Sequence, residues 1–80
     1  MNLKPLATEK AIMDIEMNNL ITFVTELKSE KKEIKTQVEE IFNVKAERVR
    51  TSIKGNKKYA YVKLKKENPA LDLATKLGLI

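Results

Sequence analysis

Two runs of alternating residues late in the chain carry its clearest pattern. Val49, Thr51 and Ile53 alternate with Arg48, Arg50, Ser52 and Lys54, and after Gly55-Asn56 a second run alternates Ala60, Val62 and Leu64 with Tyr59, Tyr61, Lys63 and Lys65. A period of two puts successive side chains on opposite faces of a strand, and a Gly-Asn dipeptide between two such runs predicts a hairpin with a two-residue loop. That loop fixes the register. Val49 faces Val62 and Thr51 faces Ala60 on an apolar side, while Arg48 faces Lys63, Arg50 faces Tyr61 and Ser52 faces Tyr59 on a polar one. A slip of one residue would mix the two faces, so the pattern selects this pairing.

The earlier pattern changes period twice. Thr8 is a suitable N-cap for a helix running to about Asn18, with Glu9 in the first turn where the helix dipole favours an acid. Ala11, Ile12 and Ile15 form its buried stripe, and Met13 and Met17, four apart, are expected in the core rather than on a docking face. Met1 to Leu6 reads as extended around Pro5. Leu20 to Leu27 is strand-like, with Ile21, Phe23 and Leu27 on one face and Leu20, Thr22 and Val24 on the other, so both faces are expected to be covered. Ser29 is expected to cap a second helix, about Lys31 to Asn43, whose stripe of Ile34, Val38, Ile41 and Phe42 packs on the sheet. Glu39 and Glu40 on that helix are adjacent and diverge by about 100°, which makes them solvated surface rather than a catalytic pair. Lys31 and Lys32 sit against the dipole at its start, a weak sign of an anion nearby.

Asn68-Pro69 predicts a third helix start, Asn as cap and Pro first, with Leu71, Ala74 and Leu77 as its apolar stripe. Gly78 is placed to close that helix in a left-handed turn with Leu79 folding back, and the apolar Ile80 is expected to be tied down. The element order is helix, strand, helix, strand, strand, helix. A strand-helix-strand unit followed by a tight hairpin favours inserting the last strand between the other two. The expected fold is α+β, a split βαβ-like antiparallel three-stranded sheet packed with three helices, in one domain over residues 1–80.

Charge changes this picture from fold to function. Residues 45–66 hold nine of the sixteen Lys and Arg residues and a single acid, Glu47, for a net +8 within a chain of net +5. Everything outside that segment is therefore slightly acidic, and one ribbon is built to meet a polyanion. Arg48 opposite Lys63 and Lys54 opposite Lys57 set like charges across the ladder, an arrangement that bound phosphates would relieve. Tyr59 and Tyr61 offer ring faces to a base or sugar among these cations, and Lys4 is a second possible phosphate contact. The plainer reading is a solvated basic face with tyrosines packed on lysine stems; the locality of the excess charge favours nucleic acid.

The chain has no Cys and no His, so thiolate chemistry, the usual metal sets and the commonest general base are excluded, and neither a cofactor nor a metal is expected. A small hydrolase finds no convergent residues here. The longest apolar runs span only a few residues, which points to a soluble, cytoplasmic protein with no membrane insertion.

Pro5-Leu6-Ala7-Thr8-Glu9-Lys10-Ala11 resembles the opening motif of the large-subunit ribosomal protein twenty-three family, the universal protein beside the peptide exit tunnel. The strand LITFVTEL, the helix EIKTQVEEIFNVK, the hairpin with Gly55 and Lys57-Lys58, the strand AYVKL and the ending LDLATKLGLI follow in the order of the short archaeal type. The resemblance implies a structural constituent of the large subunit that binds its ribosomal RNA and performs no catalysis. It maps the N-terminal motif to Thr8, Glu9 and Lys10, and the basic hairpin to Arg48, Arg50, Ser52, Lys54, Gly55, Asn56, Lys57, Lys58 and Lys63. It also implies a place at the tunnel rim, where the signal recognition particle and other nascent-chain factors dock, and contact with a small helical ribosomal protein. Together with Lys4, Tyr59, Tyr61 and Lys65, these are the candidate RNA-binding residues, and mostly backbone contacts are expected from them. The alternative is a protein-interaction module whose basic sheet face binds an acidic partner.

Overall fold

A computed structural model describes residues 3–80, so the Met1 and Asn2 part of the expected extended segment lies outside the described residues. The chain runs β1 (Lys4–Pro5), α1 (Glu9–Asn18), β2 (Leu20–Thr25), α2 (Lys31–Phe42), β3 (Ala46–Lys54), β4 (Lys57–Leu64) and α3 (Ala70–Lys76). The sheet is antiparallel in the order β1-β2-β4-β3, so β4 splits the β2-α2-β3 unit, the arrangement that a tight hairpin after a strand-helix-strand unit favours. The hairpin register is the expected one, with Val49 opposite Val62, Thr51 opposite Ala60, Arg50 opposite Tyr61 and Lys54 opposite Lys57. Gly55 takes φ +63 while Asn56 stays at negative φ, the arrangement of a type II′ turn with Gly at its first central position.

Two features extend the three-stranded expectation. Lys4 and Pro5 pair with Val24 and Phe23 as a fourth strand at the sheet edge, where the missing N–H of Pro5 costs no ladder bond. A bulge at Glu47 moves β3 by one residue, so Ala46 returns to the apolar face opposite Leu64. The Glu39 carboxylate receives the Ala46 N–H at 3.0 Å and fixes that bulge to α2.

The core lies on one face of the sheet. Ile21, Phe23, Ala60, Val62 and Leu64 pack against Ile34 and Val38 of α2 and against Ala70, Leu73 and Ala74 of α3, with Ile15 of α1 joining them. Phe23 and Phe42 stack with ring centroids 5.6 Å apart, worth about 1 kcal/mol beyond their burial. Ala11 and Ile15 are buried as expected, and Ile12 is half-buried. Thr22, on the other face of β2, is buried too, as coverage of both faces requires.

Several local expectations are corrected. Met13 and Met17 are 52% and 75% exposed, because the α1 stripe through Ala11 and Ile15 already fills the space against the sheet. Ile41 is 56% exposed, since Ile34, Val38 and Phe42, spaced by four, take the places of α2 against the core. Leu27 lies beyond the end of β2 and is exposed. Ser29 does not cap α2; its hydroxyl is buried against that of Thr25 at 3.2 Å, and Glu30 stands at the N-cap with its N–H donated to the Glu33 carboxylate.

Asn68 does not cap α3 either. Asn19 does, from 51 residues away in sequence: its Oδ1 accepts the Ala70 N–H, and its Nδ2 donates to the carbonyls of Leu64 at 3.0 Å, Lys65 at 3.2 Å and Asn68 at 3.3 Å. Asn19 itself sits in the left-handed region, φ 52, and ends α1, so one side chain ties together α1, β4 and α3. Gly78, at φ +75, closes α3 as predicted: the Leu79 N–H reaches the Ala74 carbonyl and the Gly78 N–H that of Thr75. Leu79 packs on the core, whereas Ile80 is exposed.

Candidate nucleic-acid interface

Pairing places the polar residues of four strands on the face of the sheet opposite the core. Lys4, Val24, Tyr59 and Ser52 form one row across it, Thr22, Tyr61 and Arg50 a second, and Leu20, Lys63 and Arg48 a third. Lys54 and Lys57 close the face at the hairpin tip, beside the exposed Gly55 and Asn56. Arg48 and Arg50 therefore lie on one side of the ribbon, and both are exposed.

The tyrosines are held by cations. The Arg50 guanidinium lies 5.9 Å from the centroid of the Tyr61 ring directly across the ladder, and the Lys54 ammonium lies 5.7 Å from that of Tyr59 on the diagonal. Both rings are half-buried, so each keeps part of its surface available to a stacking partner. Like charges opposed across the strands cost a few tenths of a kcal/mol per pair, which an anion seated between them would remove.

A concavity of about 560 Å³ gathers these residues. Arg48, Arg50, Ser52, Lys54, Tyr61 and Lys63 line it from the sheet, and Lys10 borders it from α1. An adjoining hollow brings Thr8 and Tyr59 to the same edge. The Thr8 hydroxyl is engaged there as the α1 N-cap, accepting the Ala11 N–H at 3.2 Å, and Glu9 is exposed in the first turn.

Two of the candidates stand apart. Lys58 points to the core side of the sheet, in the row of Thr25 and Ile53, and its ammonium donates to the Ser29 carbonyl at 2.7 Å. Lys65 follows the end of β4 and is exposed, its N–H spent on the Lys45 carbonyl. Lys31 and Lys32 are exposed at the start of α2, the helix that covers the opposite face.

Among the lining residues that sequence reasoning missed are Asp14 and Asn18 of α1. They follow Lys10 at successive intervals of four and so share its line along α1, a spacing that was visible in the sequence.

The family described as Ribosomal protein L23 matches this sequence over residues 1–69. The chain belongs to that family. It is 46% identical over 78 residues, 96% of its own length and 91% of the relative's, to the protein named Large ribosomal subunit protein uL23 from Methanothermobacter thermautotrophicus. A member of the L23 family is a ribosomal protein and not an enzyme, which agrees with a concavity lined by Lys, Arg and Tyr. The family match supports the resemblance read from the order of elements and the Thr8-Glu9-Lys10 opening.

Proposed function

We propose that this L23-family protein is a structural constituent of the large ribosomal subunit whose basic sheet face binds large-subunit ribosomal RNA near the peptide exit tunnel, as one RNA-binding unit over residues 1–80. The observation that carries this reading is the shared concavity of Lys10, Arg48, Arg50, Lys54 and Lys63 on the face that α2 and α3 leave open. A rigid antiparallel sheet holds those cations at fixed separations, so phosphates converging at a folded RNA junction are matched without rearrangement. Ser52 and the hydroxyls of Tyr59 and Tyr61 add neutral donors to the same surface.

On the outer side of α1, the exposed Met13 and Met17 supply an adaptable apolar surface. We assign to that side a share in the docking site for the signal recognition particle and other nascent-chain factors, beside a small helical ribosomal protein. The setting is cytoplasmic; among the described residues no helix is long and apolar enough to cross a membrane.

Ultraviolet crosslinking in assembled large subunits, followed by peptide mapping, tests the RNA assignment. Crosslinks should fall on peptides within residues 45–66 and around Lys10. Crosslinks confined to α2, with the hairpin unmodified, would overturn it.

A further inference from the structure

The concavity contains a residue that phosphate binding does not explain. Among the described residues that line it, Asp14 is the single acid, set among Lys10, Arg48, Arg50, Lys54 and Lys63. Its side chain is half-buried and borders both the main concavity and the adjoining hollow, which the two hollows share with Tyr61, Lys10 and Lys54. Oδ1 accepts an N–H of the Asn18 amide at 3.1 Å, and the one ion pair among the described residues is Lys28 with Glu26, so no cation stands within ion-pair distance of Asp14.

A carboxylate accepts hydrogen bonds and donates none. Phosphate oxygens offer it nothing and repel it; of the groups that RNA presents, only nucleobase and sugar donors satisfy it. Of the four bases, guanine alone presents two adjacent donors on its Watson–Crick edge, N1–H and the N2 amino group, which match the two oxygens of a carboxylate. On adenine, cytosine and uracil each donor of that edge stands beside an acceptor, which a carboxylate repels. Unpaired bases in folded RNA are read on that edge while stacked on aromatic or guanidinium planes, and Tyr61 under Arg50 is such a plane on the wall of the same concavity.

We propose that Asp14 reads the Watson–Crick edge of an unpaired guanine seated against the Tyr61–Arg50 pair, which makes it a specificity residue within an otherwise backbone-binding face. This rests on the RNA-binding reading above and adds a base code to it. Asn18 acts as a positioning residue, its amide holding the carboxylate toward the concavity. The alternative role for Asp14, damping repulsion among its cationic neighbours, predicts no preference between bases.

The test uses the full chain and single-stranded RNA heptamers UUUGUUU, UUUAUUU, UUUCUUU and the inosine counterpart UUUIUUU, which lacks only the N2 amino group. Wild-type protein should bind the guanine heptamer about tenfold more tightly than the adenine or cytosine ones, with inosine between. Asp14→Asn keeps the shape and removes the charge. It should abolish the guanine preference while strengthening binding to all heptamers, because a negative charge has left a basic site. Equal affinity of wild type for all four, or a guanine preference that survives Asp14→Asn, would overturn the proposal while leaving the salt-dependent RNA binding intact. Absence of salt-dependent binding to the heptamers and to a large-subunit RNA fragment alike would overturn both readings.

Discussion

Removing the Asn19 side chain tests how the fold is locked together. Asn19→Gly keeps the left-handed backbone at no steric cost but deletes the acceptor for the Ala70 N–H and the donor to the Leu64, Lys65 and Asn68 carbonyls. Losing the cap costs about 1 kcal/mol. One amide group has only two hydrogens for its three carbonyls, so its loss forfeits about two bonds at roughly 1 kcal/mol each. The total of about 3 kcal/mol corresponds to a fall in Tm of roughly 15 °C for a domain of this size. Asn19→Asp separates the two contributions: it retains an oxygen for the Ala70 N–H but turns a second one toward three carbonyls. If capping alone mattered, Asp would be harmless. Urea unfolding followed by far-ultraviolet circular dichroism should instead show Asp as destabilising as Gly. An Asp variant within about 0.5 kcal/mol of wild type, inside the range of ordinary surface substitutions, would refute the reasoning.

Other substitutions separate stability from binding. Lys58→Met should lose about 1 kcal/mol of stability with its bond to the Ser29 carbonyl, yet leave the salt dependence of RNA binding unchanged, because its ammonium is held on the core side; titration of both properties checks this. Gly55→Ala meets open space but must hold φ +63, so thermal melts should show a loss of about 1 kcal/mol from backbone strain alone. Partners captured from lysate through the basic face should disappear on nuclease treatment; partners that persist undiminished would favour an acidic protein as the occupant of that face.

How much of this was legible in the sequence depends on the range of the interaction. The hairpin register, the Thr8 cap, the Gly78 closure and the insertion of β4 follow from local periodicity and turn chemistry, and each is present in the structure. The misreadings concern residues whose partners are distant in sequence. Asn68 next to Pro69 satisfies every local rule for a cap, but Asn19, 51 residues away in sequence, reaches the Ala70 N–H first. Ser29 likewise looked like a cap until Thr25 was folded against it. The exposure of Met13, Met17 and Ile41 was hidden because periodicity gives the face of a helix and not how much of that face the sheet covers.

The candidate face shows the same division. Alternation alone separated Arg48, Arg50, Tyr59, Tyr61 and Lys63 from the core side. It would also have set Lys58 with Ala60 and Val62, yet the family resemblance, carried in part by Lys57-Lys58, placed Lys58 in the candidate set. Asp14 was passed over because an acid among basic candidates reads as surface until the helix is docked beside the sheet.

Affinity for a large-subunit ribosomal RNA fragment, measured across ionic strength, tests the binding face most directly. Each phosphate contact contributes roughly 0.9 to the slope of log affinity against log salt, so Arg48→Ala/Arg50→Ala should make the slope shallower by about 2 units. Lys31→Ala/Lys32→Ala, on the helix over the opposite face, should leave it unchanged. A flat slope for wild type, or equal losses from the two double variants, would contradict RNA binding through this side of the sheet.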